Sequence, residues 1–374
     1  MTSTHSLWQF IRREPVLSIA FVCALISAFF VPPSSAYLGY IDLRVLYLLF
    51  CLMAVVAGLQ ECGLFLVLAQ RLLAGERPVR LISLTLILLP FFCSMLVTND
   101  VSLITFVPFA ILVLEMVGRG DLLIPVISLQ TVAANLGSMA TPVGNPQNLY
   151  LYAHFSLSMG DFLALLLPLT LISLVGLAAA GLYFGGKGWI SVSFPEQVHL
   201  TSPKHLALYL VLFGLCLLSV CRILPYGILT VIVIAALLLA RPRLLGQVDY
   251  MLLLTFVCFF VFSGNLGQMP AVRSALSSLL SRSPLLCSAA ASQVISNVPA
   301  AVLLSGLTED WKGLLAGVDV GGLGTPVASL ASLISMKFYL RSRQAKPLSY
   351  FLWFTVANVV GLVILLPAAA HLIR

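Results

Sequence analysis

Two short polar runs, Thr98-Asn99-Asp100 and Ser296-Asn297-Val298-Pro299, interrupt apolar stretches in opposite halves of the chain. Asparagine offers both donor and acceptor groups, and the neighbouring hydroxyls add more, so such runs can hold a small polar solute or an ion. Two further polar breaks accompany them. One passes from Asn135 through Gly137, Thr141, Pro142, Gly144 and Asn145 to Pro146. The other passes from Asp319 through Gly321, Gly322, Gly324, Thr325 and Pro326 to Ser329. Aligned, they share Gly137 with Gly321 and Thr141-Pro142 with Thr325-Pro326. Proline lacks an amide and glycine permits close approach, so Pro142, Gly144, Pro146, Gly322, Gly324 and Pro326 are expected to break helices. A broken helix presents carbonyls, which suit a cation, and then amides at a positive dipole end, which suit an anion.

The polar side chains around these breaks are the candidate solute contacts: Asn99, Asn145, Asn297, Thr141, Thr325 and Ser329, with Asn148 completing the shell. Asp100 and Asp319 are the candidate coupling carboxylates, because an acidic group at membrane depth is costly and marks ion or proton pathways. Asn135 occupies in the first break the place of Asp319 in the second. Two readings stand for Asp100, ion binding and N-cap of the following helix. Glu61, between Gly58 and Gly63, reads either as a third break near the pathway or as an interfacial acid. Each piece alone also has a structural explanation, as a kinked helix or as interhelical glue. Four such pieces inside lipid favour a site.

The elements that must position these residues are membrane-length. The chain has 374 residues, of which 60% are apolar and 9% charged, with a mean hydropathy of +1.08. The expected fold class is an all-α polytopic membrane protein, since the apolar runs are too long and unalternating for a β-barrel. The net charge of +7 comes from short loops and sets topology; it is no nucleic-acid signal. The eight cysteines fall mostly in apolar runs without metal-ligand spacing and read as buried hydrophobes. The scattered histidines and the lack of a catalytic motif argue against an enzyme, and opposed hairpins argue against an open channel. The run after Arg12 and Arg13 resembles a signal peptide but lacks a convincing small-residue cleavage site, so it reads as a retained first span.

Spans are expected at 16–32, 43–73, 122–153, 161–184, 205–220, 223–240, 248–266, 312–336 and 349–372. Regions 81–117 and 284–308, each broken near its middle, are expected to form re-entrant hairpins. Arg12 and Arg13, then Arg71, Arg77, Arg80, Arg119, Lys187, Lys204, Arg241, Arg243, Lys337, Arg341, Arg343 and Lys346 all fall on one side in this arrangement, which places the N-terminus in the cytoplasm. Arg273 and Arg282 are exceptions. The hairpins then enter from opposite faces, the signature of an inverted-topology repeat: 1–184 and 205–374, joined by a cytoplasmic linker at 185–204. Asp42 and Asp249 start corresponding spans.

With these residues in place, the chain resembles the ion transporter superfamily of divalent anion/Na⁺ symporters, citrate transporters, arsenite permeases and NhaD-type antiporters. Within it, the chain is similar to YbiR-like bacterial inner-membrane anion transporters. The stretches Thr98–Pro108, Asn135–Tyr150, Ser296–Pro299 and Gly321–Ser329 carry the match, which covers nearly the whole chain. The resemblance implies alternating access, a scaffold with a mobile transport unit, a homodimer, and no cofactor beyond Na⁺ or H⁺ as coupling ion. It implies Na⁺ ligation by Thr98, Asn99 and Gly137 at one tip. At the other it implies Ser296, Asn297 and Gly321, with Thr325 opposite. The solute would be a small anion or a neutral oxyanion-type species. Asp100 and Val298 depart from the Ser-Asn-Thr tips of the divalent-anion branch, which puts a two-Na⁺ dicarboxylate mechanism in doubt. Arsenite export and Na⁺/H⁺ antiport stay open.

Overall fold

The computed structural model describes residues 14–194 and 196–374. Arg12 and Arg13, which the charge pattern puts inside, and Pro195 of the linker lie outside the described residues. Seven helices among these residues are long and apolar enough to cross a membrane, and the chain is an all-α polytopic membrane protein. The first half contains α1 (Pro15–Phe30), α2 (Ala36–Tyr40), α3 (Leu43–Glu61), α4 (Leu64–Leu73), α5 (Val79–Cys93), α6 (Asn99–Met116), α7 (Leu123–Ser138), α8 (Pro146–His154) and α9 (Met159–Phe184). The second contains α10 (Pro203–Val220), α11 (Tyr226–Ala240), α12 (Tyr250–Gly267), α13 (Pro270–Leu280), α14 (Pro284–Ile295), α15 (Asn297–Ser305), α16 (Trp311–Val320), α17 (Leu330–Leu340) and α18 (Pro347–Ile373).

Local chemistry explains the helix starts. Asp42 and Asp249 accept the amides of Val45 and Leu252, so each caps a long helix at its N-terminus. Ser158, Ser202, Ser283 and Asp310 cap α9, α10, α14 and α16 in the same way. Pro15, Pro203, Pro270, Pro284 and Pro347 sit at first helical positions, where the missing amide costs nothing.

Three features differ from the sequence expectation. The span expected at 43–73 is two helices, because Gly63 adopts φ 76° and ends the run. Residues 270–280 form the separate short helix α13, whose polar and apolar faces are distinct. Within the linker, β2 (Trp189–Val192) pairs antiparallel with β1 (Gly75–Pro78) and clips the loop to the end of α4.

The packing order positions the site. The helix before the first tip, α5, packs along α7, and the helix before the second tip, α14, packs along α16. The helices after the tips cross over. α6 packs against α17, and α15 packs against α8. Thus each half contributes one helix to the other half's broken span. Around this unit, α1 packs on α12, and α3 packs on α10 and α11. Most of α18 presents Leu348, Phe351, Leu352, Val356 and Val363 outward, as a lipid-facing helix should.

Glycine allows the closest approach. A Cβ on Gly137 would collide with the Phe91 carbonyl of α5, and one on Gly321 would lie 2.7 Å from the Ala289 Cα of α14. Small residues of this kind bring membrane helices into backbone contact. Gly137→Ala is therefore expected to cost about 1–3 kcal/mol and to lower the thermal midpoint in detergent. Gly176→Ala, whose added methyl meets nothing within 4 Å, should leave the midpoint unchanged. Equal melting of the two variants would contradict the close approach.

Candidate functional site

The two tips are tied to the breaks by the same pair of bonds. The Asn99 amide donates to the Gly144 carbonyl at 3.2 Å, and the Asn297 amide donates to the Ala328 carbonyl at 3.0 Å. In the alignment that pairs Gly137 with Gly321, Gly144 and Ala328 are matched residues. Each tip asparagine then accepts the next amide on its own Oδ1, from Asp100 at 3.0 Å and from Val298 at 2.9 Å. The second tip is strained: Ser296 has φ 73°, in a region that L side chains rarely adopt.

The breaks are also joined to each other, crosswise. Asn135 Oδ1 accepts Asn99 Nδ2 at 2.9 Å and the Ser329 hydroxyl at 3.0 Å, while Asn135 Nδ2 donates to Ser332 Oγ at 3.5 Å. Asp319 Oδ1 accepts Asn145 Nδ2 at 3.4 Å and Gln147 Nε2 at 3.3 Å. Asn145 Nδ2 also reaches Ser138 Oγ at 3.1 Å, and its Oδ1 caps α8 through the Asn148 amide. All of these side chains are buried. Asn135 and Asp319 occupy matched positions, as do Asn145 and Ser329. Each break therefore reaches across to the matched residue of the other.

Thr141 and Thr325 each spend their hydroxyl proton within the protein. Their hydroxyls donate to the Met95 and Gln293 carbonyls, which latches the first break to the turn before its tip and the second to the helix α14 before its own. Gln293 adds a staple: its Nε2 donates to the Gly321 and Leu323 carbonyls at 2.8 and 2.9 Å, and its Oε1 accepts the Thr325 amide at 2.9 Å. Gly321 thus already has its carbonyl engaged. Gly324 takes φ 109°, and a Cβ on Gly322 would stand 3.0 Å from Asn297 Nδ2. Gly144 lies too close to the Ser138 carbonyl for any side chain. Pro146 opens α8, while Pro142 and Pro326 lie in the non-helical turns.

Asp100 is not an N-cap. Thr98 holds that position without a side-chain bond, and Asp100 lies in the first turn of α6. It is partly exposed and makes no side-chain hydrogen bond among the described residues. Glu61 ends α3, where Gly63 breaks the helix, and its carboxylate lies 3.6 Å from Arg241. Thr98 and Asn145 line a cavity of about 20 Å³ with Leu49, Leu52, Met53 and Val56 of α3. A larger cavity, about 410 Å³, lies between α8, α15 and α12, with Asp42, Tyr150, His154, Ser263 and Ser305 on its walls. Tyr150 closes its floor: the hydroxyl pairs with Ser305 Oγ at 2.7 Å, and the ring packs on Phe256 and Phe260.

Sequence reasoning missed Gln147, Gln293, Ser332 and Tyr150. Ser332 had a usable signal, because it matches Asn148 in the alignment that pairs the two breaks. The glutamines had none, since each acts on a partner helix that the sequence does not identify.

Comparison with known proteins agrees with this architecture. A family model described as citrate transporter, CitMHS, matches residues 6–310. The inner membrane protein YbiR of Escherichia coli K12 is 32% identical over 359 residues, covering 90% of this chain and 92% of that one. An uncharacterized transporter of Methanocaldococcus jannaschii is 28% identical over 298 residues, covering 79% and 81%. The silicon efflux transporter LSI3 of rice is 34% identical over 129 residues, which is 34% of this chain and 26% of that protein.

The Asn135 cluster predicts coupled energetics. Asn135→Ala leaves the Asn99 amide and the Ser329 hydroxyl without their buried acceptor and is expected to cost about 1–3 kcal/mol. Ser329→Ala should cost less, and the double variant should be less destabilised than the sum of the two. Additive losses in a denaturation double-mutant cycle would show that the cross-link is not formed.

Proposed function

The chain belongs to the citrate transporter family, and on that premise we propose that it is a secondary active transporter. It moves a small inorganic or organic anion across the bacterial inner membrane by alternating access, with Na⁺ or H⁺ as the coupling ion. The observation that carries this reading is the matched pair of tip-to-break hydrogen bonds, Asn99 to Gly144 and Asn297 to Ala328. Two halves that fold the same contacts around one centre fit an inverted repeat with opposed hairpins. The positive residues that flank the spans fit a cytoplasmic N-terminus.

The centre suits an anion without any fixed cation. Four helices, α6, α8, α15 and α17, begin at the tips and breaks, and α6 packs on α17 as α15 does on α8. Their positive dipole ends favour a negative solute, while the first amides of α6 and α15 are already spent on the breaks and on the tip asparagines. The opposite ends, where α5, α7, α14 and α16 stop, supply carbonyls for a coupling cation. Asn99 and Asn297 then orient the solute, with Asn145 and Ser329 behind them. Transport requires the cross-linked breaks to move with the tips against a scaffold of α1, α3 and α10 to α12, through which a homodimer would form. The 410 Å³ cavity is the outer approach and Tyr150 its floor.

A second reading is export of a neutral oxyacid, such as arsenite. None of the side chains named around the tips and breaks is Lys or Arg, and one relative is named a silicon efflux transporter. Amide and hydroxyl groups can bind such a solute without charge pairing.

The test is uptake into proteoliposomes of citrate, other carboxylates, phosphate, sulfate and arsenite, with Na⁺ and pH gradients imposed separately. Saturable, gradient-driven flux of one solute is expected. Asn99→Ala and Asn297→Ala should each lower its kcat/KM by roughly tenfold or more, the loss of one charge-assisted hydrogen bond. Ungated ionic conductance, or no saturable flux of any of these solutes, would overturn the proposal.

A further inference from the structure

A slot of about 470 Å³ runs between α9 and α18, with α7 as its back wall. Its origin is a pattern of small residues. Gly176 and Ala180 lie four apart on α9, Ala357 and Gly361 lie four apart on α18, and all four line the slot. Such spacing usually brings two membrane helices into backbone contact. Here the helices stay apart. A Cβ on Gly176 would meet nothing within 4 Å, and Val356, Val360 and Ile364 beside the slot are at least half exposed. A gap of this kind forfeits dispersion contacts along its whole length unless something fills it.

We propose that the slot seats an acyl chain of an anionic phospholipid, whose headgroup is held by the basic loops at one end. Polarity is the first reason for this occupant. Among the described lining residues only Ser173 and Trp353 carry a polar side-chain atom, and the Ser173 hydroxyl is spent on the Leu169 carbonyl. Size is the second. The lining runs from Leu352 to Leu365 along α18, about 20 Å of helix, against about 15 Å for the hydrocarbon of one leaflet. A helix of that length would itself fill about 1,600 Å³, far more than the slot holds.

Charge is the third reason. Phe184 and Trp353 stand edge to face at one end of the slot, with ring centroids 4.7 Å apart. Three residues past Phe184, the Lys187 carbonyl accepts Arg119 Nη1 at 3.2 Å. A Cβ on Gly120 would run into the Gln344 side chain. The loops after α6, α9 and α17 therefore meet at this end and bring with them Lys187, Arg341, Arg343 and Lys346, all exposed. Asp121 is spent on Arg119, and the four cations have no ion-pair partner among the described residues. A basic cluster at the end of an interhelical groove suits the phosphate of an anionic lipid. Tyr183 and Trp189, both largely exposed, mark the same level as the membrane interface.

The slot backs onto both breaks. Leu136 of its rear wall lies between Asn135 and Gly137. A Cβ on Gly361 would stand 2.7 Å from Leu323 Cδ1 of the second break, and Asn358 Oδ1 accepts the Gly324 amide at 3.3 Å. A lipid seated there holds α18 against α7 and stabilises the folded protein by mass action. The seat exists whether or not the protein transports any solute.

The test is quenching of Trp353 fluorescence by brominated lipids in vesicles that hold the full-length protein, with Trp8, Trp189 and Trp311 replaced by phenylalanine. Phosphatidylglycerol and phosphatidylcholine, each brominated on the acyl chains, are compared at equal mole fraction in unbrominated phosphatidylcholine. Phosphatidylglycerol is expected to associate roughly tenfold more tightly, since each nearby Lys or Arg contributes a several-fold gain. Lys187→Gln combined with Lys346→Gln should bring the two association constants to within about twofold of each other. Gly176→Leu, which fills the slot and leaves the loops intact, should lower the ratio roughly threefold or more, because the loops alone hold no acyl chain beside the indole. Ala180→Phe fills the same slot should that variant fail to fold. In detergent, added phosphatidylglycerol should raise the thermal midpoint of the natural protein and leave that of the filled variant unmoved. Equal association of the two lipids, a ratio unchanged by filling the slot, or one unchanged by loss of both lysines would overturn the proposal.

Discussion

Hydrocarbon offers no partner to a free amide or carbonyl, and every interruption of a helix at membrane depth has to be paired within the protein. That constraint organises this molecule. The helix breaks after Ser138 and Val320 free backbone groups, and so do the tips before Asn99 and Asn297. None could exist alone. The Asn99 and Asn297 amides find the Gly144 and Ala328 carbonyls, and the Thr141 and Thr325 hydroxyls take the carbonyls of Met95 and Gln293. The glycines at 137 and 321 let the backbones come close enough. Polar backbone is tolerated at depth because opposing breaks face and pair each other.

The same requirement ties the two halves to each other. Cross-links from Ser329 to Asn135 and from Asn145 to Asp319 mean that neither break can shift without the other. The halves still differ. The second break carries the Gln293 staple, the strained Ser296 and the only carboxylate of the cross-linked set. The first carries the neutral Asn135, with every polar terminus engaged. A fully satisfied network rigidifies, whereas a partly satisfied one is sensitive to what binds it. The division of labour is therefore a rigid break and a responsive one.

Much of this was legible in the sequence, for identifiable reasons. Apolar length gave the membrane class and most of the long helices, though 43–73 is split in two, and the Thr-Pro pairs with their glycines marked the breaks after Ser138 and Val320. Aligning the breaks matched Asn135 with Asp319 and Asn145 with Ser329, and the structure bonds these four crosswise, Asn135 to Ser329 and Asp319 to Asn145. The break offered as one reading of Glu61, between Gly58 and Gly63, is present, and the left-handed dihedral of Gly63 makes it. Other features were hidden. The strand pair between residues 75–78 and 189–192 has no alternating pattern long enough to read. Of the two readings of Asp100, the cap fails because the helix starts two residues earlier than its charge suggested, with Thr98 at the N-cap. The roles of Gln147 and Gln293 depend on contacts across helices, which one strand of sequence does not encode.

The central claim is that tips and breaks form one closed centre that opens to either side in turn. Its most direct test is thiol accessibility in oriented vesicles, in a background with the native cysteines replaced. Ser305→Cys reports the 410 Å³ cavity, and Val56→Cys reports the cleft between α3 and the first tip. With a membrane-impermeant maleimide applied from each side, reversing the coupling gradient should raise labelling at one position while lowering it at the other. Labelling of both positions together, indifferent to the gradient, would contradict alternating access through this centre.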